Sequence, residues 1–113
     1  MVDPDTLFTG LCRSGIDLST RQIGILLACT ANKPRAPKSR EQCDIARHLG
    51  LRKASTSRNL DRLVELEFVE RVMIEGDFRK RLVIPTNAGA QVAAQIRDGM
   101  REAVTRSADM AAA

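Results

Sequence analysis

The sequence predicts a mainly α-helical fold with one small β-hairpin, which belongs to the α+β class. Apolar residues recur every three or four positions over four segments, and polar residues typical of helix starts precede three of these segments. A stretch rich in β-branched residues and divided by a glycine predicts the hairpin. The length of 113 residues leaves room for one compact domain and one long helix.

The first predicted helix runs from about Thr20 to Thr30. Ser19 and Gln22 have the spacing of a capping box, in which two side chains satisfy free backbone N–H groups at the helix start. Residues 32–38 contain two prolines and end this helix, because proline lacks the N–H that a helix interior needs.

Two further helices follow, with a tight turn between them. Ser39 and Gln42 repeat the capping-box spacing and predict a short helix to about Leu49, which Gly50 ends. The next predicted helix covers about residues 53–66. Its core-facing residues are Thr56, Leu60 and Leu63, and its other faces carry Lys53, Ser55, Ser57, Arg58, Asn59 and Arg62.

A hairpin and a last helix complete the predicted fold. Residues 68–75 form the first strand, Gly76 and Asp77 the turn, and residues 80–85 the second strand. Thr86 is the predicted N-cap of the last helix. Its apolar stripe needs a partner, since an isolated amphipathic helix is marginal in water. We expect a second copy of the chain to cover the stripe; the alternative is that the helix folds back on Phe8 and Leu11.

The positive charge of the chain is concentrated in its middle. The formal net charge is +4, and residues 33–81 hold 13 Lys and Arg against 8 Asp and Glu. A basic centre between nearly neutral ends is typical of a domain that binds a polyanion. The absence of Trp and Tyr argues against RNA and single-stranded ligands, because their binders stack bases on aromatic side chains.

Other classes of protein are not expected. No apolar stretch approaches the about 20 residues of a membrane span, and the acidic N-terminus lacks the layout of a secretory signal, which predicts a cytoplasmic protein without a membrane partner. Three cysteines at wide spacings predict neither disulfides nor a zinc site, while a redox role for Cys12 stays open. His48 has no nucleophile beside it in sequence, so we expect no enzyme, no cofactor and no metal.

The second and third helices, joined at Gly50, have the order of a helix-turn-helix, and the hairpin follows as a wing. In such a domain the helix at about residues 53–66 enters the major groove of double-stranded DNA, and the wing at residues 75–81 approaches the minor groove. Arg58 has the donors for a bidentate contact with guanine. The predicted DNA-binding residues are Arg52, Lys53, Ser55, Thr56, Ser57, Arg58, Asn59, Arg62, Arg79, Lys80 and Arg81.

These segments resemble the MarR family of winged helix-turn-helix transcription regulators. The resemblance covers about residues 18–94 and rests on five sequences, namely Leu18-Ser-Thr-Arg-Gln, Asp44-Ile-Ala-Arg-His-Leu-Gly-Leu, Ser55-Thr-Ser-Arg-Asn-Leu-Asp-Arg-Leu, Asp77-Phe-Arg and Thr86-Asn-Ala-Gly. It implies a homodimeric regulator, typically a repressor, that binds specific sequences of double-stranded DNA. It also implies that Arg79 enters the minor groove while Asp77 stabilises the wing; the alternative is that these two residues form only a local turn pair.

Three features depart from the family pattern. Arg52 stands at the cap of the recognition helix, where Ser or Asp is usual. Glu67 stands where a helix-ending Gly is usual, so either Glu67 is left-handed or the helix ends differently. About 17 residues precede Leu18, so we expect part of the usual dimer interface, and the ligand pocket beside it, to be missing. A small-molecule effector is therefore not expected.

The expected organisation has three parts. Residues 1–17 are an N-terminal segment and partial dimerisation element, residues 18–86 the winged helix-turn-helix domain that binds DNA, and residues 87–113 a dimerisation helix with a frayed tail. The predicted dimer interface consists of Val92, Ile96, Met100 and Val104. The alternative function is a winged-helix module that binds another protein, because the fold alone does not determine the ligand.

Overall fold

The computed structural model describes residues 4–13, 15–32 and 35–112, with side chains except at residues 7, 8, 77–79 and 106–112. The chain forms two compact units, residues 18–90 and residues 1–17 with 91–113. The elements in chain order are α1 (Pro4–Arg13), α2 (Thr20–Thr30), α3 (Gln42–Leu49), α4 (Lys53–Glu65), β1 (Val69–Ile74), β2 (Asp77–Pro85) and α5 (Asn87–Ala112). The predicted class, mainly helical with one hairpin, is confirmed.

The core of the 18–90 unit is aliphatic, as expected for a chain without Trp or Tyr. Its members come from three helices and both strands, so burial of their apolar surface holds the hairpin to the helices. The large apolar side chains that are almost completely buried are Ile25, Leu26, Ile45, Leu60, Leu63, Val69 and Val83. Cys29, a residue of α2, is buried as a small apolar residue would be.

Helix α2 begins with the predicted capping box. The Ser19 hydroxyl accepts from the Gln22 N–H at 3.2 Å, and the Ser19 N–H donates to the Gln22 side chain at 3.0 Å. The C-terminal end of α2 is closed by Arg40, whose guanidinium donates to the carbonyls of Ala28 and Ala31 at 3.2 and 2.9 Å. A cation is well placed there, because the last carbonyls of a helix are unpaired and carry partial negative charge.

The second capping box does not form, so the predicted start of α3 was wrong by about two residues. The N-cap is Glu41, which makes no side-chain cap. Residues 40 and 41 bond to β2 instead: the Val83 N–H donates to the Arg40 carbonyl at 2.8 Å, and Glu41 forms a bridge with Leu82. Ser39 bonds to Asp44 at 2.5 Å. Pairing with β2 therefore prevails over local capping at this position.

The turn between α3 and α4 is closed by Gly50, as predicted. Gly50 has a φ of 68°, a left-handed conformation that glycine adopts without a steric penalty. Arg52 is the N-cap of α4 and makes no side-chain cap. The Thr56 hydroxyl donates to the Arg52 carbonyl at 3.0 Å, a bond that does not satisfy the free N–H groups of the first turn of α4.

Glu67 adopts the left-handed conformation that a glycine would usually occupy. Its φ is 62°, and it is the only described residue other than glycine with a positive φ. The Phe68 N–H donates to the Leu63 carbonyl at 3.0 Å, and the Glu67 N–H to the Val64 carbonyl at 2.9 Å. These two bonds define a Schellman motif, which satisfies the last carbonyls of α4.

The two strands form an antiparallel hairpin in which Val69 pairs with Pro85 and Arg71 with Val83. The register shifts between Met73 and Ile74. The turn consists of residues 75 and 76, with a φ of 83° at Gly76. The predicted turn at Gly76 and Asp77 was therefore shifted by one residue.

Helix α5 begins against the end of α4. Thr86 caps it as predicted, since its hydroxyl accepts from the Gly89 N–H at 3.0 Å. The same hydroxyl donates to the Glu67 carbonyl at 2.6 Å. A Cβ at position 89 would overlap the Phe68 carbonyl oxygen, so only glycine allows this close approach.

The second unit contains a ten-residue helix, α1, which begins with Pro4. Proline is favoured at this first helical position, because its missing N–H has no partner there anyway. The helix packs on α5 at Gly10: a Cβ on this residue would lie 2.7 Å from the Gly99 carbonyl oxygen and 2.8 Å from the Met100 Cα. Helix α1 thus contacts α5 at Gly10, while the side chain of Phe8 lies outside the described residues, so a second copy and the chain's own Phe8 and Leu11 both stay predictions for the α5 stripe.

Candidate nucleic-acid interface

A groove of about 790 Å³ lies between α3, α4 and the hairpin in the 18–90 unit. We call it the basic groove, because five cations and only two acids line it. The cations are Arg47, Lys53, Arg71, Lys80 and Arg81, and the acids are Glu41 and Asp61. Opposite sides of the groove thus belong to the predicted recognition helix and to the predicted wing.

The N-terminal half of α4 exposes most of the side chains predicted to contact DNA. Arg52, Lys53 and Arg58 are exposed, and none of them forms an ion pair with another residue in the described part of the chain. Ser55 and Ser57 are half-buried. Arg62 is exposed as well, but its guanidinium contacts Glu65 at 3.2 Å. Three cations are thus free to bind an anionic ligand.

Thr56 corrects the predicted set of DNA-binding residues. Its side chain is completely buried, and its hydroxyl donates to the backbone within α4. Asn59 is also engaged in the fold: its amide donates to the Ser55 carbonyl at 2.8 Å and its oxygen accepts from Gln22 at 3.4 Å. Thr56 has no surface to offer a base, and Asn59 has to exchange existing bonds to contact one.

The hairpin contributes two exposed cations near its turn. Lys80 lies 4.0 Å from the Glu41 carboxylate, and Arg81 pairs with Met73 across the hairpin. The side chains of Asp77 and Arg79 lie outside the described residues, so their predicted roles in the wing stay predictions. Among the hairpin side chains that the structure describes, the exposed large apolar ones are Val72, Met73 and Ile84.

Two cations of the basic groove were missed by the sequence reasoning. Arg47 is exposed on α3 and contacts Asp44 at 3.1 Å. Arg71 lies on β1, with 18% of its side chain exposed, and forms an ion pair with Asp61. The position of Arg71 among alternating strand residues is a signal for its inward direction, but its helix partner is far away in sequence.

The predicted dimer residues differ in exposure. Ile96 is completely buried within the single chain, so this residue departs from the prediction that it contacts a partner. Val92, Met100 and Val104 are half-buried and keep some surface. His48 is exposed in the last turn of α3, as expected for a helix-end residue.

The chemistry of this surface is that of anion binding. Guanidinium groups form bidentate bonds with phosphate and with the edge of guanine, and lysines bind phosphate as point charges. No group of three or more His, Cys, Asp or Glu in the described part of the chain has the arrangement of a metal site. None of the helices described here is long and apolar enough to cross a lipid bilayer.

The sequence pattern of the MarR family matches residues 16–80, which is more than half of the 113 residues. The chain belongs to the MarR family. The matched segment includes α2, α3, α4, β1 and the first residues of β2. Every residue that lines the basic groove except Arg81 thus lies within the MarR-family segment.

Several solved structures are similar in fold to this chain. MepR of Staphylococcus aureus, a regulator of the multidrug efflux pump MepA, has a TM-score of 0.79 at 16% identity, over 94% of this chain and 76% of MepR. RV1404 of Mycobacterium tuberculosis has a TM-score of 0.76 at 21% identity, over 94% of this chain and 69% of RV1404. A MepR mutant bound to an oligodeoxyribonucleotide has a TM-score of 0.75 at 17% identity, over 93% and 75%. No curated protein sequence matches this chain significantly.

Proposed function

We propose that this chain is a transcription regulator that binds double-stranded DNA in a sequence-specific manner, acting as a homodimer and a repressor. The basic groove is the observation that carries this proposal, because cations from both α4 and the hairpin line it. The MepR mutant with a bound oligodeoxyribonucleotide supports the choice of DNA as the ligand, since its fold is similar.

The proposed division of roles follows from exposure. Arg58 is exposed on α4 and has the fork of donors that recognises guanine, so it contributes to sequence preference together with Ser55 and Ser57. Arg52 and Lys53 stand at the start of α4, where they bind phosphates together with the free N–H groups of the helix. The roles of base reader and phosphate binder predict different consequences of mutation.

The basic groove itself fits one strand of the DNA backbone. If α4 enters the major groove and residues 75–81 reach the neighbouring minor groove, the phosphates between these two grooves face the space between helix and hairpin. Arg47, Lys80 and Arg81 line that space. Arg47 and Lys80 now contact Asp44 and Glu41, so phosphate replaces a carboxylate partner on binding.

Dimerisation is proposed through the α5 residues that retain surface, because a two-fold protein reads two half-sites of a palindromic operator. Val92→Glu places a charge on this surface, and light scattering is expected to detect a monomer. Gln91→Glu is the matched control, since Gln91 is the exposed neighbour of Val92. A Val92→Glu variant that stays dimeric would move the interface to another part of the chain.

The proposal is tested by selecting DNA from a random library of duplexes. We expect the full chain to retain a two-fold-symmetric motif with a steep dependence on salt, because each bound phosphate releases counterions. Arg58→Ala is expected to relax the preference at one base position and to cost about 1–3 kcal/mol at the selected site. Arg101→Ala, which removes an exposed arginine of α5, is the control.

The wing is tested by a different outcome. Arg79→Ala is expected to weaken binding to all sequences about evenly and to lower the salt slope by about 1. A loss confined to one base position would contradict a minor-groove role. If the wild-type chain retains no duplex at low salt, DNA binding is refuted and a module that binds another protein becomes the better hypothesis.

A further inference from the structure

Arg71 connects the first strand of the hairpin to the middle of α4. One terminal nitrogen of its guanidinium donates to the Ser57 carbonyl at 2.6 Å, and the other forms an ion pair with the Asp61 carboxylate. Only 18% of the Arg71 side chain is exposed, and its Nε is buried without a hydrogen-bond partner. The side chain is therefore directed at the helix rather than at solvent.

The two partners of Arg71 are one helical turn apart. Ser57 and Asp61 are four residues apart on α4, so they lie one above the other on the same face. This face lines the basic groove. One planar guanidinium with two separate partners fixes both distance and orientation, which a single point charge does not do.

The hairpin needs such a contact because it has only two strands. A two-stranded ribbon is marginally stable on its own and takes its direction from what it packs against. Strand β2 is held at Arg40 and Glu41 by backbone pairing. Strand β1 is held to α4 at Arg71, which pairs with Val83 across the hairpin. These two polar attachments lie on different strands and add to the burial of Val69 and Val83.

We propose, resting on the proposed function, that Arg71 is a positioning residue for DNA recognition. It fixes the hairpin relative to α4, so that the helix in the major groove and the wing in the adjacent minor groove engage the duplex together. It also neutralises Asp61, a carboxylate on the face of α4 that lines the basic groove. Loss of Arg71 thus has a positional effect and a charge effect, and these are separable.

A second substitution separates the two effects. Arg71→Met removes both bonds and leaves the Asp61 charge in the basic groove, where it repels phosphate. Arg71→Met combined with Asp61→Asn removes that charge without restoring the contact to the helix. Asp98→Asn, which removes an exposed carboxylate of α5, is the matched control. A thermal melt of each variant establishes that it is folded.

The first measurement needs no DNA. Spin labels at Ala54 on α4 and Glu75 in the hairpin turn, both exposed, report the distance between helix and hairpin. Cys12 and Cys43, the exposed cysteines, are first replaced by serine. We expect the distance distribution to be narrow in this background and broad in the Arg71→Met/Asp61→Asn variant. A second pair, Ala54 with Arg21 on α2, is expected to stay unchanged.

The second measurement uses a duplex selected by the wild-type chain. We expect Arg71→Met/Asp61→Asn to lose affinity on the order of ten-fold, the range in which hydrogen bonds to charged groups contribute. Its hydroxyl-radical protection of the minor groove is expected to fade, while methylation protection of the major groove by α4 persists. Asp98→Asn is expected to retain both protections. Arg71→Lys keeps the charge but not the planar fork. Its affinity for the duplex is expected to lie between those of Arg71→Met/Asp61→Asn and the wild type.

Each contrary outcome overturns a different claim. An unchanged distance distribution in the double variant overturns the positioning role, whatever the affinity does. A narrow distribution with lost affinity makes Arg71 a direct DNA contact. Full recovery of the footprint when Asp61→Asn is added to Arg71→Met reduces the role to charge neutralisation. A wild-type chain without any footprint refutes the proposed function and the DNA role of Arg71 together, while the distance measurement still reports on the hairpin.

Discussion

Replacement of Glu67 by glycine is expected to stabilise the protein. Glu67 follows α4 with a φ of 62°, and its N–H and that of Phe68 close the Schellman motif. These bonds involve only the backbone, and the Glu67 carbonyl accepts from Thr86. The side chain of Glu67 is exposed and takes part in no ion pair within the described part of the chain. Removing it therefore changes the conformational energy and little else.

The expected gain is the difference between two terms. A left-handed conformation costs an ordinary residue roughly 1–2 kcal/mol because Cβ approaches the backbone. Glycine avoids this cost but has more conformational freedom to lose on folding, which offsets roughly 0.5–1 kcal/mol. The net stabilisation is about 0.5–1 kcal/mol. For a domain of this size we expect a rise in Tm of about 2–5 °C.

Thermal and urea unfolding of three variants test this reasoning. Glu67→Ala removes the same charge and keeps the steric cost, so it is expected to leave stability nearly unchanged. Glu65→Gly, which stands inside the last turn of α4, is expected to lose about 1 kcal/mol. The reasoning is refuted if Glu67→Gly is no more stable than Glu67→Ala, because relief of the left-handed conformation is then not the cause.

Two of the remaining predictions concern closely packed glycines, and the third concerns a buried hydroxyl group. Gly89→Ala is expected to destabilise the protein by about 1–3 kcal/mol in thermal melts, because the added Cβ meets the Phe68 carbonyl. Gly24→Ala is the control and is expected to be neutral or stabilising, because the nearest atom to its added Cβ is 3.7 Å away. Gly10→Ala is expected to loosen α1 from α5, measured as faster amide exchange in α1; unchanged exchange would contradict the packing described. Thr56→Val is expected to lower the stability of the protein by about 1 kcal/mol and to leave its affinity for a selected duplex unchanged. A shifted base preference in this variant would show that Thr56 contacts DNA after all.

The order of the elements was predictable because local signals dominate it. Hydrophobic spacing, the capping residues at Ser19 and Thr86 and the glycine at position 50 each act within a few residues. Ser39 has the same local signal as Ser19 and gave the wrong helix start. The difference is that residues 40 and 41 pair with β2, a contact between segments about 40 residues apart that no local pattern contains.

The residue types of the candidate site were predictable from the sequence, whereas the directions in which their side chains point were less so. Spacing correctly placed Thr56 on the inner face of α4, and its polar side chain nevertheless entered the predicted set of DNA-binding residues. Asn59 is half-buried because Gln22 lies within reach, which follows only from the packing of α2 on α4. Arg71 was missed for the same reason, since its partners are 10 and 14 residues away.

The residues at the two ends of α4 stabilise this helix only weakly, and the proposed function explains why. Its N-cap is Arg52 without a side-chain cap, and Lys53 follows, so two cations stand where the helix dipole favours an anion. Its C-terminal end relies on a left-handed Glu67. Contacts from other segments supply the missing stability, through Arg71 and through burial of the apolar face. Cations at a helix N-terminus are unfavourable in the free protein and favourable once a phosphate lies between them and the free N–H groups. Under the proposed function, the same residues that weaken the helix in isolation strengthen its interaction with DNA, which accounts for a recognition helix held by tertiary contacts rather than by its caps.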